Sequence, residues 1–431
     1  MNYYSTNNRS ISFSLRDAVL KGLAPDKGLF MPERIPVLTR YELESLRNYN
    51  LAEIGIIISE KLFGEDIPAS VLAELVSDAI NFDTPVIKIE DDLYALELFH
   101  GPTLAFKDVG ARFMARMLGY FTKEMDQTVH VLVATSGDTG SAVANGFLDV
   151  EGIQVHVLYP SGMVSPLQEK QFTTLGKNIT ALEVEGTFDD CQKLVKEAFL
   201  DSSLTDNLIL TSANSINLAR FLPQSFYYFR AWNQVEAEDL FFSVPSGNYG
   251  NLTAGLVARE MGLPVQKFLS ANNINDIVPV YLKTGELNPR PSVQTIANAM
   301  DVGDPSNFTR ILDLFGGKHE RIINHLEGFA FKDDEIRDII QKVFQKTGYV
   351  LDPHGATGYE AAKIYMKSHK NATGIFLETA HPAKFKETVQ PMIGQPCRVP
   401  DRLAAFAKKE KQSIEIGKEF QEFKSYLQNL N

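Results

Sequence analysis

From residue 129 onward one pattern recurs. A short β-branched run is followed by a turn of glycine, serine, threonine or asparagine, and then by a helical pattern. Residues 129–134 lead into Thr135-Ser136-Gly137-Asp138-Thr139-Gly140. Residues 153–159 stop at Pro160, and a helix opens at Ser165-Pro166-Leu167-Gln168. There serine stands at the cap, proline at the first position and glutamine where a capping box needs it. Residues 179–184 precede an amphipathic helix over 188–200, and residues 208–211 precede a long helix towards Trp232. Residues 240–244 precede a helix over 251–261, residues 265–270 form a sixth strand, and residues 374–377 lead into a helix after Pro382. Such alternation predicts βαβ units in an α/β fold, with parallel sheets covered on both faces. In such sheets ligands bind beyond the carboxyl ends of the strands.

A chain of 431 residues is too long for one ordinary core and predicts two or three domains. The expected division is an N-terminal, mainly helical segment over 1–84, a smaller αβα domain over 85–235 and a large αβα domain over 236–431. Residues 282–346 read as charged and mainly helical, with no functional placement. The net charge of −12 argues against nucleic acid or an anionic membrane as partner. The two cysteines, Cys191 and Cys397, make neither a disulfide framework nor a metal knuckle, so a reducing compartment is expected, and no metal site is expected. Residues 1–11 are polar, and the apolar piece around 54–58 is far too short to cross a bilayer. A cytoplasmic protein is expected, without membrane association.

Five segments carry candidate chemistry. The first is Gly101-Pro102-Thr103-Leu104-Ala105-Phe106-Lys107-Asp108. Lys107 opens a helical pattern in which Val109, Phe113 and Met117 share a face. A positive charge there opposes the helix dipole, which favours the neutral amine, and a neutral amine forms Schiff bases. The alternative is a surface lysine paired with Asp108. The second is Ser246-Gly247-Asn248-Tyr249-Gly250-Asn251, after a strand and before a helix, where backbone N–H groups and the dipole suit a phosphate. It is neither a Walker loop nor a dinucleotide turn, and an ordinary strand-to-helix turn is the alternative.

The third segment, residues 135–140, offers hydroxyls and N–H groups to a carboxylate. Asp138 suits a donor rather than an anion there, and a capped turn is the alternative. In the fourth, Asn214 and Ser215 stand where a helix cap is needed, and Arg220 lies one to two turns on, where a guanidinium suits phosphate. The fifth is Glu378-Thr379-Ala380-His381-Pro382-Ala383-Lys384, in which Thr379 is a neutral donor and acceptor able to face a ring nitrogen and His381 reads as structural. His319, Glu320 and His325 lack the spacing of a zinc motif, and the aromatic run 226–229 reads as core.

The segment 98–108 resembles the cofactor-lysine segment of bacterial and fungal threonine synthases. Residues 134–140, 165–170, 212–216, 244–250, 298–302 and 379–386 resemble that family's other segments, in the family's order, and residues 3–6 and 28–32 resemble its start. The resemblance implies the pyridoxal phosphate fold of the tryptophan synthase β group. It implies that Lys107 carries the cofactor, with cofactor contacts at Asp138, Gly247, Asn248, Tyr249, Gly250, Asn251 and Thr379. It implies a substrate carboxylate at Thr135, Ser136, Gly137 and Thr139, and a substrate phosphate at Asn214, Ser215 and Arg220. Many relatives carry asparagine where this chain has Asp138. The implied reaction converts O-phospho-L-homoserine and water to L-threonine and phosphate, in a monomer or homodimer. The rivals are a phospho-lyase releasing 2-oxobutyrate, a serine or threonine dehydratase, and a non-catalytic sensor of phosphoryl ligands. The donors at Asn214, Ser215 and Arg220 argue against the dehydratase.

Overall fold

Each of the runs read above as strands becomes a strand in the computed structural model, which describes residues 1–430. Contacts divide the chain into two units. The first comprises Met1–Phe30, Lys107–Arg220 and Val399–Asn431, and the second Met31–Phe106 and Phe221–Arg398. The contiguous stretches 1–84, 85–235 and 236–431 do not coincide with these units. Alternation along a sequence does not say which sheet a strand joins, and this chain passes between units at Phe30/Met31, Phe106/Lys107, Arg220/Phe221 and Arg398/Val399.

The chain opens on an antiparallel pair, β1 (Tyr3–Ser5) and β2 (Asn8–Phe13), followed by β3 (Phe30–Pro32). Residues 1–84 therefore hold strands as well as the expected helices. The alternation at 3–13 is too polar for its periodicity to stand out, since most of β2 is exposed. In the second unit, β4 (Val86–Glu90) and β5 (Leu93–Glu97) pair antiparallel across a tight turn in which Asp92 has φ 56°.

The first unit's sheet takes β6 (Val129–Ala134), β7 (Ile153–Pro160), β8 (Ile179–Val184) and β9 (Ile209–Ser212). The second unit's sheet takes β10 (Leu240–Pro245), β11 (Lys267–Asn272), β12 (Leu326–Ala330) and β13 (Thr373–Glu378). The last strand, β14 (Ile414–Ile416), returns to the first unit. The strand orders are β14-β8-β7-β6-β9 and β12-β11-β10-β13-β5-β4, parallel throughout except for β4 at the edge.

Helices on both faces bury these strands, so the strands read as apolar runs rather than alternations. All six residues of β6 and of β10 are buried. In the first unit Leu132, Leu158 and Leu182 pack with Leu194 and Phe423, and in the second Phe241, Leu269 and Phe376 pack with Ile336 and Ile340. Local caps set where the helices start. Ser165 caps Pro166–Thr173, and Thr187 with Asp190 forms a capping box for Phe188–Leu200.

Two expectations about elements change. Residues 282–346 contribute the edge strand β12 as well as helices. The long helix towards Trp232 is interrupted. Leu218–Phe221 is followed by a 3-10 turn over Leu222–Ser225 and then by Phe226–Gln234. Pro223, at the start of that turn, lacks the N–H that a continuous helix needs.

Candidate active site

In the first unit three strand-end loops meet. Thr135 Oγ1 accepts from the N–H groups of Gly137 and Gly140, at 2.9 and 2.7 Å, which folds 135–140 into the start of the helix Asp138–Phe147. Asp138 is buried there, and its Oδ1 accepts from Gln168 Nε2 at 2.8 Å. Gln168 belongs to the helix that Ser165 caps after β7. Asn214, after β9, donates through Nδ2 to the Ala134 carbonyl at 3.0 Å. The loops after β6, β7 and β9 are thus joined by side-chain hydrogen bonds at the carboxyl ends of the strands, where ligands of parallel sheets bind. Ser136, Thr139, Asn214 and Ser215 remain half-exposed.

Lys107 opens the helix Lys107–Thr122 of the same unit and is half-buried. Asp108 is 1 % exposed and Arg220 is 2 % exposed, so the picture of a surface Asp108 does not hold. Burial pulls the Arg220 guanidinium down to about 10, and the nearby negative charge of Asp108 opposes that shift. The guanidinium still keeps its charge at neutral pH. Asn214 and Ser215 precede the cap position of the short helix Leu218–Phe221. That position falls to Asn217, whose Oδ1 accepts from Ala219 N–H at 3.0 Å. Asn214 is left to tie β9 to β6.

In the second unit, β10 runs through residues 246–249 into the helix Gly250–Glu260. Tyr249 has φ 63°, a left-handed conformation that costs a tyrosine on the order of 1 kcal/mol. Its buried phenol holds it there, 2.7 Å from Ser270 Oγ and donating to Asn272 Oδ1 at 2.9 Å. Burial pushes that phenol well above its ordinary pKa, so it stays neutral. Asn248 Oδ1 accepts from the Ser306 N–H and hydroxyl, at 2.7 and 2.8 Å. Asn251 Oδ1 accepts from Tyr228 OH at 2.6 Å, while Asn251 Nδ2 is buried with no acceptor. A Cβ on Gly247 would lie 2.8 Å from both the Ala299 carbonyl oxygen and Met300 Cα. Glycine is therefore required here for backbone packing against residues 299–300.

Thr379 follows β13 and is buried. Its carbonyl accepts from Phe106 N–H at 2.9 Å, and His381 N–H donates to the Leu104 carbonyl at 3.0 Å. The residues just before Lys107 are thus stitched to those around Thr379, and Leu104 takes φ 60° in the process. His381 caps the turn Pro382–Phe385, its Nδ1 accepting from Ala383 N–H at 3.1 Å. Burial pushes its pKa down to about 4, the state of a neutral cap. Among the described residues no group of three or more histidines, cysteines, aspartates or glutamates is placed to hold a metal.

With the geometry in view, comparison with known proteins settles the family. The family of pyridoxal-phosphate dependent enzymes matches residues 79–376, more than half of the chain. The threonine synthase N terminus matches residues 2–80, and the threonine synthase C-terminal region matches residues 355–427. The threonine synthase of Haemophilus influenzae is 44 % identical over 99 % of both chains. The chain belongs to the threonine synthase family. The crystal structure of the Escherichia coli threonine synthase superposes with TM-score 0.93 at 40 % identity, covering 100 % of both chains. A pyridoxal-phosphate-bound threonine synthase from Brucella melitensis superposes with TM-score 0.93 at 34 % identity, covering 100 % of this chain and 99 % of that one. The fold of this family is accordingly the fold described above, and the family's pyridoxal phosphate dependence is that of this chain.

Within this threonine synthase fold some residues beside the candidate positions escape sequence reasoning. Gln168 reads there only as a capping residue. Its place in one of the segments that resemble the family was the one available signal. Tyr228, Ser306 and Asn272 act on the 247–251 loop from 20 or more positions away in sequence, and no spacing rule connects them.

Proposed function

We propose that this threonine synthase takes O-phospho-L-homoserine and water to L-threonine and phosphate, with Lys107 as the cofactor lysine. The full-length match to threonine synthases from residue 2 to residue 427 carries this reading. The residues present fit the cofactor. Asn251 Nδ2 is a buried donor awaiting an acceptor, it stands at the start of an eleven-residue helix, and a phosphate supplies such an acceptor. In this reading residues 247–251 hold the cofactor phosphate and Thr379 offers its hydroxyl to the ring nitrogen. When bound, pyridoxal phosphate supplies an electron sink for charge developing on substrate carbon.

The chain's own groups do the rest. Lys107 Nζ takes and returns the proton at the substrate Cα, and its place at a helix start favours the neutral amine that this requires. Thr135, Ser136, Gly137 and Thr139 receive the substrate carboxylate. Asp138, held by Gln168, fixes that loop and faces the cofactor. Asn214, Ser215 and the charged Arg220 bind the phosphate that leaves. A buried guanidinium is a strong partner for a phosphate because its charge is little screened.

The same proposal places the protein in the cytoplasm as a monomer or homodimer. No helix among the described residues is long and apolar enough to cross a membrane. The test is to incubate purified protein with O-phospho-L-homoserine and analyse phosphate, amino acids and keto acids. Phosphate with threonine is the expected result. Phosphate with 2-oxobutyrate identifies a lyase, and no phosphate release refutes the reaction. Borohydride is expected to fix the cofactor on Lys107.

A further inference from the structure

One position before Thr379, β13 ends on a buried acid. Glu378 and Asp352 are both fully buried, and the reaction described above uses neither. Asp352 caps the helix Pro353–Ser368. Its Oδ1 accepts from the His354 backbone N–H at 2.8 Å and contacts His354 Nδ1 at 2.6 Å. The other nitrogen of that ring, Nε2, accepts from the Ala299 backbone N–H at 3.2 Å. An amide N–H opposite Nε2 requires a lone pair there. The proton therefore sits on Nδ1 and points at Asp352, and the ring is neutral. Asp352 thus accepts two donors without gaining a counter-cation.

Glu378 is less well provided. Its Oε2 accepts from the Asp352 N–H at 3.2 Å, while its Oε1 and Asp352 Oδ2 are buried without a donor. The bond from the Asp352 N–H nonetheless brings both carboxyl groups to the same buried helix start. Gly355 shows how far Glu378 reaches into the helix start, since a Cβ there would lie 1.8 Å from Glu378 Oε1. Two ionised carboxylates at this depth, each with an oxygen lacking a donor, are strongly disfavoured. One proton between them satisfies both. Asp352 has two shorter donors, so the charge belongs on Asp352 and the proton on Glu378.

The surroundings support that assignment. Glu97, at the end of β5, adds negative charge, its oxygens taken up by Tyr349 OH at 2.8 Å and His100 Nε2 at 2.7 Å. His381 is held neutral by burial. Lys384 is buried, and its Nζ donates to the Thr103 carbonyl at 2.8 Å. Burial first, then Asp352, holds the Glu378 carboxyl well above the usual range.

We infer that Glu378 and Asp352 form a one-proton carboxyl pair that positions the cofactor site, tying the strand end bearing Thr379, through His354, to the Ala299 segment that packs on Gly247. Both are positioning residues. The pair itself stands on the contacts above, and its link to the cofactor rests on the proposed roles of Thr379 and residues 247–251.

Infrared difference spectra of cofactor-free protein near neutral pH test the pair directly. Wild type minus Glu378→Gln should show the C=O band of a protonated carboxyl, and carboxylate bands alone would overturn the pair. The unfolding equilibrium gives a second readout. Unfolding releases Glu378 to its ordinary range, so wild type loses stability relative to Glu378→Gln as pH rises, by about tenfold in the equilibrium constant per pH unit across that window. Parallel curves would also overturn it. For the positioning role, pyridoxal phosphate affinity is measured by equilibrium dialysis. Glutamine at 378 keeps the donor to Asp352 and the acceptor for its N–H, so affinity should stay within about threefold. Asp352→Asn sets an amide against the His354 donors and should weaken affinity by about tenfold or more. The reverse order would place the proton on Asp352 and overturn the assignment, and equal affinities in all three proteins would overturn the positioning role. If wild type itself fails to bind the cofactor, the proposed function fails while the spectra and the pH curves still decide the pair. Those two readouts need only Glu378→Gln, should Asp352→Asn not fold.

Discussion

The candidate residues of the two units are held in different ways. In the second unit Tyr249, Asn251 and Thr379 are buried, and a hydrogen-bonded lattice of Ser270, Asn272, Tyr228 and Ser306 fixes the loop around them. In the first unit Lys107, Ser136, Thr139, Asn214 and Ser215 are half-exposed, and what is fixed is mainly the loop backbone beneath them, through Thr135 and the Asn214–Ala134 bond. In the proposed reading the difference matches two kinds of guest, except that Lys107 and Asp138 of the first unit also serve the cofactor and that Arg220, which takes the substrate phosphate, is buried. A resident cofactor is held best by donors set in advance, with little ordering left to do on binding. A substrate must enter and leave, so its contacts belong on loop side chains that water reaches.

The comparison breaks first at Lys107. Lys107→Ala is expected to reduce phosphate release on the order of 10³-fold or more and to abolish borohydride fixation of the cofactor. A variant that still fixes the cofactor would remove Lys107 from the reaction. In the second unit Gly247→Ala forces a methyl against the backbone of Ala299 and Met300, which must shift to admit it. Pyridoxal phosphate affinity should fall by about tenfold to a hundredfold, as overpacking in a rigid site costs about 1–3 kcal/mol. Unchanged affinity would mean that the loop is not as fixed as its contacts imply.

How much of this was legible in the sequence depends on range. The strands 129–134 and 179–184 and the helix 188–200 are bounded by local signals, and β6, β8 and the Phe188–Leu200 helix have those bounds. The position of the candidate residues at strand ends was legible for the same reason. The sheet order was not, because it depends on where the chain returns. β14 adds only three residues to the edge beside β8, and β12 hides in a charged stretch. The second unit's lattice was equally hidden. Asp352 and Glu378 lie 26 positions apart, and nothing in either local sequence announces a shared proton. Gly247 was legible as a special glycine, but its reason, the approach of residues 299–300, was not.

A smaller effect sharpens the first unit's side of the comparison. Asn214→Ala removes the tie to Ala134 and, in the proposed reading, one phosphate donor. A rise of about tenfold in KM for O-phospho-L-homoserine is expected, with pyridoxal phosphate affinity unchanged. Loss of cofactor affinity instead would mean that the two sets of residues are not separable by guest.

The smallest effect at neutral pH belongs to His381 of the second unit. Its ring is pushed down to about 4 by burial, with Nδ1 committed to the Ala383 N–H. In the unfolded chain it titrates near its ordinary value of about 6.5. Between those values the unfolded state binds the extra proton, so the contribution of His381 to stability is fully present above about pH 6.5 and is lost as pH falls towards 4. The ring is partly exposed, which reduces the expected loss between about pH 7 and about pH 5 to about 1 kcal/mol. His381→Asn keeps a cap acceptor and does not titrate. Denaturant unfolding at the two pH values should therefore show wild type losing more stability on acidification than the variant, with turnover at neutral pH nearly the same in both. Equal losses would mean that this ring takes up its proton in the folded state. The lattice of the second unit would then be less closed around Thr379 than its buried hydrogen bonds imply.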